Sequence, residues 1–410
     1  MAKNYASIYS DVNDSSALEQ RVFLVQESTK GVIATPSSTD FLYTLSGGGV
    51  KFTQPINSSP HRSGRHNNNT IVEKKMTEWN FSTFFNIDPA AANGSAAIDV
   101  PVKLLFKSLL GSETGTTTKV YAPTVTPSYY FSIFEVGDKW SKQAWGGWVD
   151  SASMEFPGNG QAKSSWTGHA FESVLIGIGK STVANAGGNT VTLQAGEGQR
   201  FAKGALVMII VANGTSRSAD TPAGTPRKVV SIVGDTVTLN GAAFTTASDG
   251  ASVTPVYLSY YEPATVSGID NPLVGLEGAF TGDLLPAGYC LRSLKLDINN
   301  NHEIVNYCFG HDGIEGFVPG GRLDVKVEAE LNLSSKLVEF YNGAQKFLPN
   351  NFVQVLGPVA GRRMQINLPR IIFQIPEISV PETGSIPVKF SGTAYQTVLD
   401  AADELQISFL

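Results

Sequence analysis

One pattern of alternating apolar and polar positions occurs twice in the chain, at residues 148–171 and again at residues 372–395. In each copy a first alternating run ends at a proline, a turn containing glycine follows, and a second run closes on an aromatic residue, Ser or Thr, Gly and Ala. The copies align without a gap, so that Gly168 matches Gly392. Alternation of this kind predicts a strand, a turn and a second strand in each copy.

The segments around these hairpins repeat in the same order. Alternating runs at 72–85 and 322–333 predict one long strand in each copy, and each is followed by a short amphipathic helix, at 101–110 and 334–342. Gly111 marks the expected end of the first helix, and a glycine also follows the second. We therefore interpret the chain as a duplicated domain of mainly β structure.

A separate unit lies between the two copies, at roughly residues 180–257. Its apolar positions fall in short runs between glycine turns, and the pattern Gly-Asn/Asp-Thr-Val-Thr-Leu occurs in it at 188–193 and 234–239. These features predict a small β-barrel or sandwich. The sequence thus divides into a first domain with an N-terminal arm at 1–179, the inserted domain, and a second domain at 258–410.

Composition supports a folded, mainly β chain and narrows its partners. The chain has 410 residues, of which 42% are hydrophobic and 16% charged, and it contains 41 glycines. This length suits two domains of ordinary size with an insertion, and abundant glycine is typical of many turns. The net charge is −6 at pH 7, whereas a tight nucleic-acid binder is expected to be basic. The charge does not disfavour a surface past which DNA slides.

Neither a membrane span nor a secretory signal is indicated. The longest apolar run, at 205–212, is too short to cross a bilayer and predicts a buried strand. Residues 1–14 contain no apolar signal core. Cys290 and Cys308 flank a predicted turn at 299–301 almost symmetrically, which leaves two interpretations: a pair facing each other across two strands, or two reduced thiols.

We find no catalytic or cofactor motif in the sequence. Gly179, Lys180 and Ser181 resemble the end of a phosphate-binding loop, but the position of the required first glycine holds Val174. The five histidines show no metal-binding spacing with cysteine or carboxylate residues. We therefore expect neither an enzyme nor a bound cofactor or metal.

A long polar segment at 55–70 contains almost no apolar residue and is expected to form an exposed loop or hairpin tip. Its basic cluster supplies candidates for contacts between subunits: His61, Arg62, Arg65 and His66.

Three of the five tryptophans, Trp140, Trp145 and Trp148, lie close together before and within the first hairpin. Two interpretations stay open. The rings pack in the core and hairpin, or the 140–148 segment packs on a neighbouring subunit, since aromatic residues are enriched in interface cores.

Five segments of the chain resemble the tail tube proteins of long-tailed bacteriophages. The resemblance is carried by LRSLKLDINNN at 291–301, PGGRLDVKVEAELNL at 319–333, INLPRIIFQIPE at 366–377, VKFSGTAY at 388–395 and VQESTKGVIATP at 25–36. It covers both copies but not the insertion.

The resemblance implies two tandem tail-tube-like β-sandwich or barrel domains, each with one short helix on its flank. Subunits of this family form rings whose inner sheets join into one continuous β-barrel around a channel, and the rings stack through loops and arms. A duplicated chain is then expected to form trimers with pseudo-sixfold symmetry, with strands 72–85 and 322–333 in the lumen. Four candidates for an acidic channel lining that keeps DNA mobile are Glu78, Asp324, Glu328 and Glu330.

The resemblance therefore predicts a structural virion protein, the major subunit of a tail tube that conducts DNA during ejection. Expected partners are further copies of the chain, with segment 55–70 ordered against the next ring, and tape measure, terminator and distal tail proteins. The genome would pass without specific binding, and the location would be the virion tail, after assembly in the host cytoplasm. Two alternatives remain: a tail-terminator or baseplate-hub ring protein of the same fold, and a carbohydrate-binding β-sandwich with an aromatic platform at 140–148.

Overall fold

The computed structural model describes residues 5–10, 20–58, 70–87, 100–124, 129–184, 188–211, 226–242, 256–263, 272–274, 279–282, 291–306, 310, 313–334, 337–357, 363–378 and 380–410. Most of a short helix expected at 15–21 falls outside these residues. The two cysteines, paired or reduced, and the basic cluster of segment 55–70 also fall outside them: Cys290, Cys308, His61, Arg62, Arg65 and His66.

The fold is mainly β, as the alternating pattern predicts, with 53% of residues in strands against 10% in helices. The α-helices in the described part of the chain are α1 (Tyr5–Ser10), α2 (Lys103–Leu110) and α3 (Leu337–Gln345). The first half of the chain contains β1 (Arg21–Gln26), β2 (Phe41–Leu42), β3 (Gly49–Thr53), β4 (Ile56–Ser58), β5 (Thr70–Val72), β6 (Met76–Phe84), β7 (Lys119–Tyr121), β8 (Phe131–Val136), β9 (Ser141–Pro157), β10 (Lys163–Ala170) and β11 (Glu172–Ile176). The inserted segment contains β12 (Gly179–Ala184), β13 (Thr190–Leu193), β14 (Leu206–Val211), β15 (Arg227–Val233), β16 (Thr236–Leu239) and β17 (Val256–Tyr260). The second half contains β18 (Ala279–Gly282), β19 (Leu291–Asn299), β20 (His302–Val305), β21 (Gly316–Pro319), β22 (Asp324–Asn332), β23 (Asn350–Leu356), β24 (Met364–Phe373), β25 (Glu377–Ile378), β26 (Pro387–Ala394) and β27 (Gln406–Phe409).

The two predicted helices form, with boundaries that packing explains. α2 ends where expected, because Gly111 takes a left-handed φ of 95° and its N–H donates to the carbonyl O of Lys107. It begins at Lys103, later than predicted. α3 continues past Gly343, so the predicted stop at this glycine is wrong. Gly343 and Ala344 are both buried on the face of α3 that packs on the core, and this packing extends the helix.

The strand pairings of the two halves follow the same order. In the first half an outer sheet, β1–β8–β9–β11, packs on an inner sheet, β3–β6–β10–β9, and the long strand β9 belongs to both. In the second half β18–β23–β24–β27 and β19–β22–β26–β25 take the same places. The core between the layers includes Phe81, Trp166, Ile298, Val327 and Phe373.

The inner sheets of the two halves form one continuous sheet, because β9 pairs with β19. Its strand order is β3–β6–β10–β9–β19–β22–β26–β25, antiparallel throughout. The strand β27 forms a second link between the halves, since it pairs with both β24 and β7. Along the strands of the continuous sheet buried residues alternate with more exposed ones, so one face covers the core and the other is polar.

The inserted segment closes into a six-stranded barrel in the order β12–β13–β16–β15–β14–β17. The barrel packs on the outer sheet, where Phe23, Phe134 and Trp145 share a buried cluster with barrel residues. Val22 and Ile133 of the same strands face the core beneath the continuous sheet. Because side chains alternate across a strand, the barrel and the polar face of the continuous sheet lie on opposite sides of the molecule.

Polar contacts fix the barrel to the first half and to the N-terminal segment. The fully buried Gln143 donates from Nε2 to the carbonyl O of Leu206 at 2.8 Å and accepts from the N–H of Leu206 at 2.7 Å. Helix α1 lies on the barrel, where the hydroxyl of Tyr9 donates to Oε1 of Gln194 at 2.7 Å.

Deleting residues 181–256 and joining the ends with a short Gly/Ser link is expected to give an insoluble chain. The deletion exposes Phe23, Phe134 and Trp145, which the barrel buries, and a large new apolar patch promotes aggregation. Replacing these three residues with threonine in the deleted chain is expected to restore a soluble monomer, because the core beneath the continuous sheet is unchanged. Soluble yield and size-exclusion chromatography measure both outcomes. A soluble simple deletion would contradict the buried interface.

Candidate functional site

The two halves are joined by a complete pairing of β9 with β19. Met154 lies opposite Leu296, and both side chains are buried in the shared core. Beyond the strands, the N–H of Asn300 donates to the carbonyl O of Asp150 at 2.9 Å, and Nδ2 of Asn300 donates to the carbonyl O of Leu109 at 2.9 Å. The asparagine-rich turn that follows β19 therefore extends the junction to the end of α2.

The hairpin β20–β21 of the second half covers this junction from one side. The rings of His302 and Phe317 lie 4.0 Å apart between centroids, and Phe317 contacts Trp148 at 5.0 Å. The carboxylate of Asp150 hydrogen-bonds Nδ1 of His302 at 3.1 Å, accepts from Nε1 of Trp148 at 2.7 Å, and also contacts Nδ1 of His169. Asp150 thus connects strands of both halves through one carboxylate.

The environment of Asp150 favours its charged form. Burial acts to raise the pKa of this carboxyl, but the hydrogen bonds from His169, His302 and Trp148 outweigh burial and lower the pKa below its usual value. An Asp with a lowered pKa in the folded state stabilises the fold above its unfolded pKa, ~3.9, and this stabilisation is lost as the pH falls through the folded pKa.

The variant Asp150→Asn is expected to lower the free energy of unfolding by about 1–3 kcal/mol at neutral pH, since it removes a charged acceptor from three buried donors. The difference from the natural chain should shrink below roughly pH 4, where the natural carboxyl loses its own contribution. Urea unfolding at pH 7 and pH 3 measures this. An equal difference at both pH values would show that the charge of Asp150 does not stabilise the junction.

Equivalent positions in the two halves follow from strand register. Gly168 lies opposite Trp79 in β6, and its sequence match Gly392 lies opposite Val327 in β22. Packing explains why glycine stands at both places. A Cβ on Gly168 would come within 2.6 Å of the Trp79 ring, and a Cβ on Gly392 would come within 2.7 Å of the ring of Phe373.

One end of the continuous sheet is an incomplete copy of the junction strand β9. β25 pairs with β26 so that Ile378 lies opposite Val388, as Met154 lies opposite Ser164 in the first half. On its other side β25 has no partner among the strands that the structure describes. Ile378 and Val380 are therefore exposed, Val380 at 72%, although the equivalent Met154 is buried against β19.

The other end of the continuous sheet is β3, which takes the place of β19. Val50 lies opposite Trp79, as Leu296 lies opposite the equivalent Val327. Within the described ranges β3 pairs with β6 alone. Phe52 is 48% exposed, although its equivalent in β19 is buried. The chain therefore has two unpaired edges that correspond to the two partners of its own internal junction.

Two charged side chains occupy the outward backbone groups of β3. Oε2 of Glu135 accepts from the N–H of Val50 at 2.8 Å, and Nζ of Lys142 donates to the carbonyl O of Val50 at 3.0 Å. Gln20 donates to Oε1 of the same carboxylate at 2.7 Å. Charged groups at a sheet edge protect it against uncontrolled addition of strands.

The polar face of the continuous sheet contains the four carboxylates expected to line a channel. Across neighbouring strands, Glu78 lies opposite Lys51 and Glu328 lies opposite Lys295. Each of these two carboxylates therefore faces a cation.

The other two expected carboxylates form ion pairs on the same face. Asp324 bonds Nζ of Lys326 at 2.6 Å, and Glu330 bonds a guanidinium nitrogen of Arg292 at 2.8 Å. Asp324 also raises the pKa of Lys326. All four carboxylates therefore lie beside or opposite a cation on this face, and their role in a channel lining stays a prediction.

The tryptophans favour the core interpretation of the two that the sequence leaves open. Residues 141–157 form the single strand β9 rather than a connecting loop. Trp145 is buried against the barrel and Trp148 is buried in the junction, so neither ring is available to a neighbouring subunit. Trp140 is half-buried, with Nζ of Lys142 over its ring. The expected aromatic platform for a carbohydrate is therefore not formed.

Asp150, His302 and Glu377 are functional candidates that the structure adds to those predicted from the sequence. The repeat could have indicated Glu377. This residue lies in β25, which is the second copy of part of β9, and β9 is paired on both sides there. No sequence pattern predicts that Asp150 lies beside His302, because this contact forms only when β9 pairs with β19.

Among the described residues, no group of three His, Cys, Asp or Glu side chains is placed to hold a metal ion. The helices in those residues are too short and too polar to span a membrane. In comparisons with known proteins, no family model and no curated protein sequence matches the chain.

Proposed function

We propose that the chain is the major subunit of a bacteriophage tail tube, a structural protein that assembles into stacked rings around a channel for DNA. The observation that carries this proposal is the match between the internal junction and the two sheet edges. β9 and β19 pair inside one chain. Their equivalents β25 and β3 each have one edge that pairs with no strand in the described part of the chain. Pairing of β25 with β3 of another chain extends the continuous sheet head to tail. Contacts of this heterologous type form a ring when their rotation closes.

The repeat specifies the register of the contact between chains. The pairing of β9 with β19, carried to equivalent positions, places Ile378 of one chain opposite Val50 of the next. In this register Glu377 lies opposite Lys51, and opposite charges on directly facing residues favour the pairing. Phe52, exposed in the single chain, becomes covered by the added strand. This one register therefore pairs the two strands, covers the exposed apolar side chains and places opposite charges face to face.

Each chain supplies two equivalent units, so a ring with pseudo-sixfold symmetry contains three chains. The covalent chain holds its two units at high effective concentration, whereas units of different chains must meet by diffusion. The contact between chains is therefore expected to limit assembly. Further partners in this proposal are tape measure, terminator and distal tail proteins, and the location is the virion tail after assembly in the host cytoplasm.

The polar face of the continuous sheet is the surface that we assign to the channel, since the barrel lies on the opposite side. Its cations stand beside carboxylates: Lys163 bonds Glu155 at 2.9 Å, and Lys295 bonds Asp297 at 2.7 Å. Proteins hold DNA mainly through cations that neutralise phosphates. Cations already paired on the wall offer phosphates little attraction, and such a wall lets DNA pass without specific binding.

Assembly at β3 requires Val50 to exchange its hydrogen-bond partners. Glu135 and Lys142 hold the N–H and C=O groups that the added strand would use. The variant Lys142→Ala frees the carbonyl and is therefore expected to shorten the lag before tube growth. Light scattering at matched protein concentration measures the lag. A lag equal to that of the natural chain would show that Lys142 does not guard this edge.

Electron microscopy of the purified protein tests the proposed function. The expected result is tubes of stacked rings whose end-on averages show threefold symmetry, with three chains per ring by native mass spectrometry. Rings that form but never stack would favour a tail-terminator or baseplate-hub protein. A chain that stays monomeric at high concentration, or a ring of six chains, would contradict the proposal.

A further inference from the structure

A groove with both apolar and charged lining residues lies beside the far end of the continuous sheet in the second half. Its volume is about 1120 Å³. Its apolar residues include Ile372, Tyr395, Val398 and Leu399, and its charged residues are Arg322, Asp324, Arg370, Asp400 and Glu404. Tyr395 and Val398 are exposed, and Leu399 is 88% exposed. Exposed apolar side chains gathered in one concave place mark an interaction surface.

The equivalent surface of the first half is covered. It is formed by Trp148, His169 and Phe171, the positions that the sequence repeat matches to the floor of the groove. The hairpin β20–β21 lies on it, with Phe317 in contact with Trp148 and His302 beside Phe317. In the first half, this surface is therefore covered by a two-stranded hairpin that belongs to the second half, the next unit along the continuous sheet.

The first half carries its own copy of that hairpin, β4–β5. Ile56 lies opposite Val72, as His302 lies opposite Pro319. β4 and β5 form a separate two-stranded sheet among the described strands. Ile56 and Val72 are 66% and 57% exposed. In the second half, the equivalent His302 and Phe317 instead contact each other and the junction.

We propose that the β4–β5 hairpin of one chain occupies the groove of the neighbouring chain in the same ring. The inference rests on the proposed pairing of β25 with β3. β4 follows β3 almost directly, so that pairing brings the hairpin to the groove as the pairing of β9 with β19 brings β20–β21 to Trp148. The hairpin then clasps the contact between chains, and every unit of the ring is covered by its neighbour.

The two faces of the hairpin differ in this arrangement. Directly opposed residues share a face of a two-stranded sheet, so Ile56 and Val72 point to the same side and Ile71 points to the other. The side that holds Ile56 corresponds to the side that holds His302 in β20. Ile56 and Val72 therefore face the groove, and Ile71 faces away. The inferred contact is lateral, which differs from the expected contact of segment 55–70 with the next ring.

Charged substitutions on the two faces test the inference. The double variant Ile56→Asp, Val72→Asp is expected to raise the protein concentration needed for half-maximal tube formation by about tenfold or more. It removes two apolar contacts and places carboxylates in a groove that already contains Asp324, Asp400 and Glu404. The matched control Ile71→Asp is expected to assemble like the natural chain. All three side chains are exposed in the single chain, so the monomers should keep their unfolding midpoint, which is measured alongside.

Disulfide trapping identifies the partner. In a Cys290→Ser, Cys308→Ser background, Ile56→Cys with Thr393→Cys places thiols at the equivalents of His302 and His169, whose ring nitrogens both contact the carboxylate of Asp150. Oxidation of assembled tubes is expected to give cross-linked chains, whereas the pair Ile71→Cys with Thr393→Cys is expected to give none.

The outcomes separate the two proposals. If the natural chain forms no tubes, the proposed function fails. If the natural chain forms tubes, and the Ile56, Val72 double variant assembles at the same protein concentration, the hairpin does not occupy the groove. The proposed function then stands. Weakened assembly without a cross-link from Ile56 to Thr393 also overturns the proposal for the hairpin, because the hairpin then contacts another surface.

Discussion

Reversing the charge of Lys51 in the variant Lys51→Glu is expected to stop tube growth, and Glu377→Lys is expected to do the same. In the proposed register these two residues face each other across every contact between chains. Facing opposite charges contribute roughly 0.2–1 kcal/mol and like charges cost a similar amount. The loss is repeated at each contact of a ring that must close, so small pairwise changes become a large change in assembly.

The double variant Lys51→Glu, Glu377→Lys is expected to recover tubes, because the charges across the contact are again opposite. Recovery should need a higher protein concentration than the natural chain, since Glu78 and Lys389 of the same chain then face like charges. Lys163→Glu is a matched control, since Lys163 lies on the same polar face but away from the unpaired edges. This control should assemble normally. Electron microscopy and sedimentation of the four variants measure the outcome. Failure of the double variant to recover, with its monomer folded, would contradict the register.

The strands of the fold were the most predictable feature, because a polar face on one side of each strand leaves a period of two in the sequence. The run at 322–333 and the hairpin at 372–395 were identified in this way, and they correspond to β22 and to β25–β26. The same periodicity showed that β22 repeats β6 and that β25–β26 repeats part of β9 with β10. The helix end at Gly343 was predicted wrongly, because the local signal of a glycine was weaker than burial of the last turn.

The candidate surfaces were less predictable, since they depend on which strands become neighbours. The sequence shows that Met154 and Ile378 are equivalent apolar residues, but burial of one and exposure of the other follows from the strand β19 beside β9. In the same way, Glu328 looks acidic in isolation and gains Lys295 as a neighbour through register. A repeat in the sequence reveals equivalence, and the structure reveals which member of each pair is still unpartnered.

Replacing Val327 with aspartate is expected to unfold the second half rather than to produce a folded subunit that cannot assemble. Val327 lies in the middle of the continuous sheet, opposite Leu296 on one side and Gly392 on the other, and is 1% exposed. An uncompensated charge at such a place costs about 3–5 kcal/mol.

The destabilisation by Val327→Asp should be smaller at acid pH, because a buried carboxyl is tolerated better when neutral. Thermal unfolding at pH 7 and pH 4 measures this difference. The adjacent Glu328→Gln is the matched control: its side chain is exposed on the polar face, so its free energy of unfolding should stay within about 0.5 kcal/mol of the natural value. A Val327→Asp chain that unfolds at the natural temperature would mean that this strand does not face the core, and with it the assignment of the opposite face to the channel would fail.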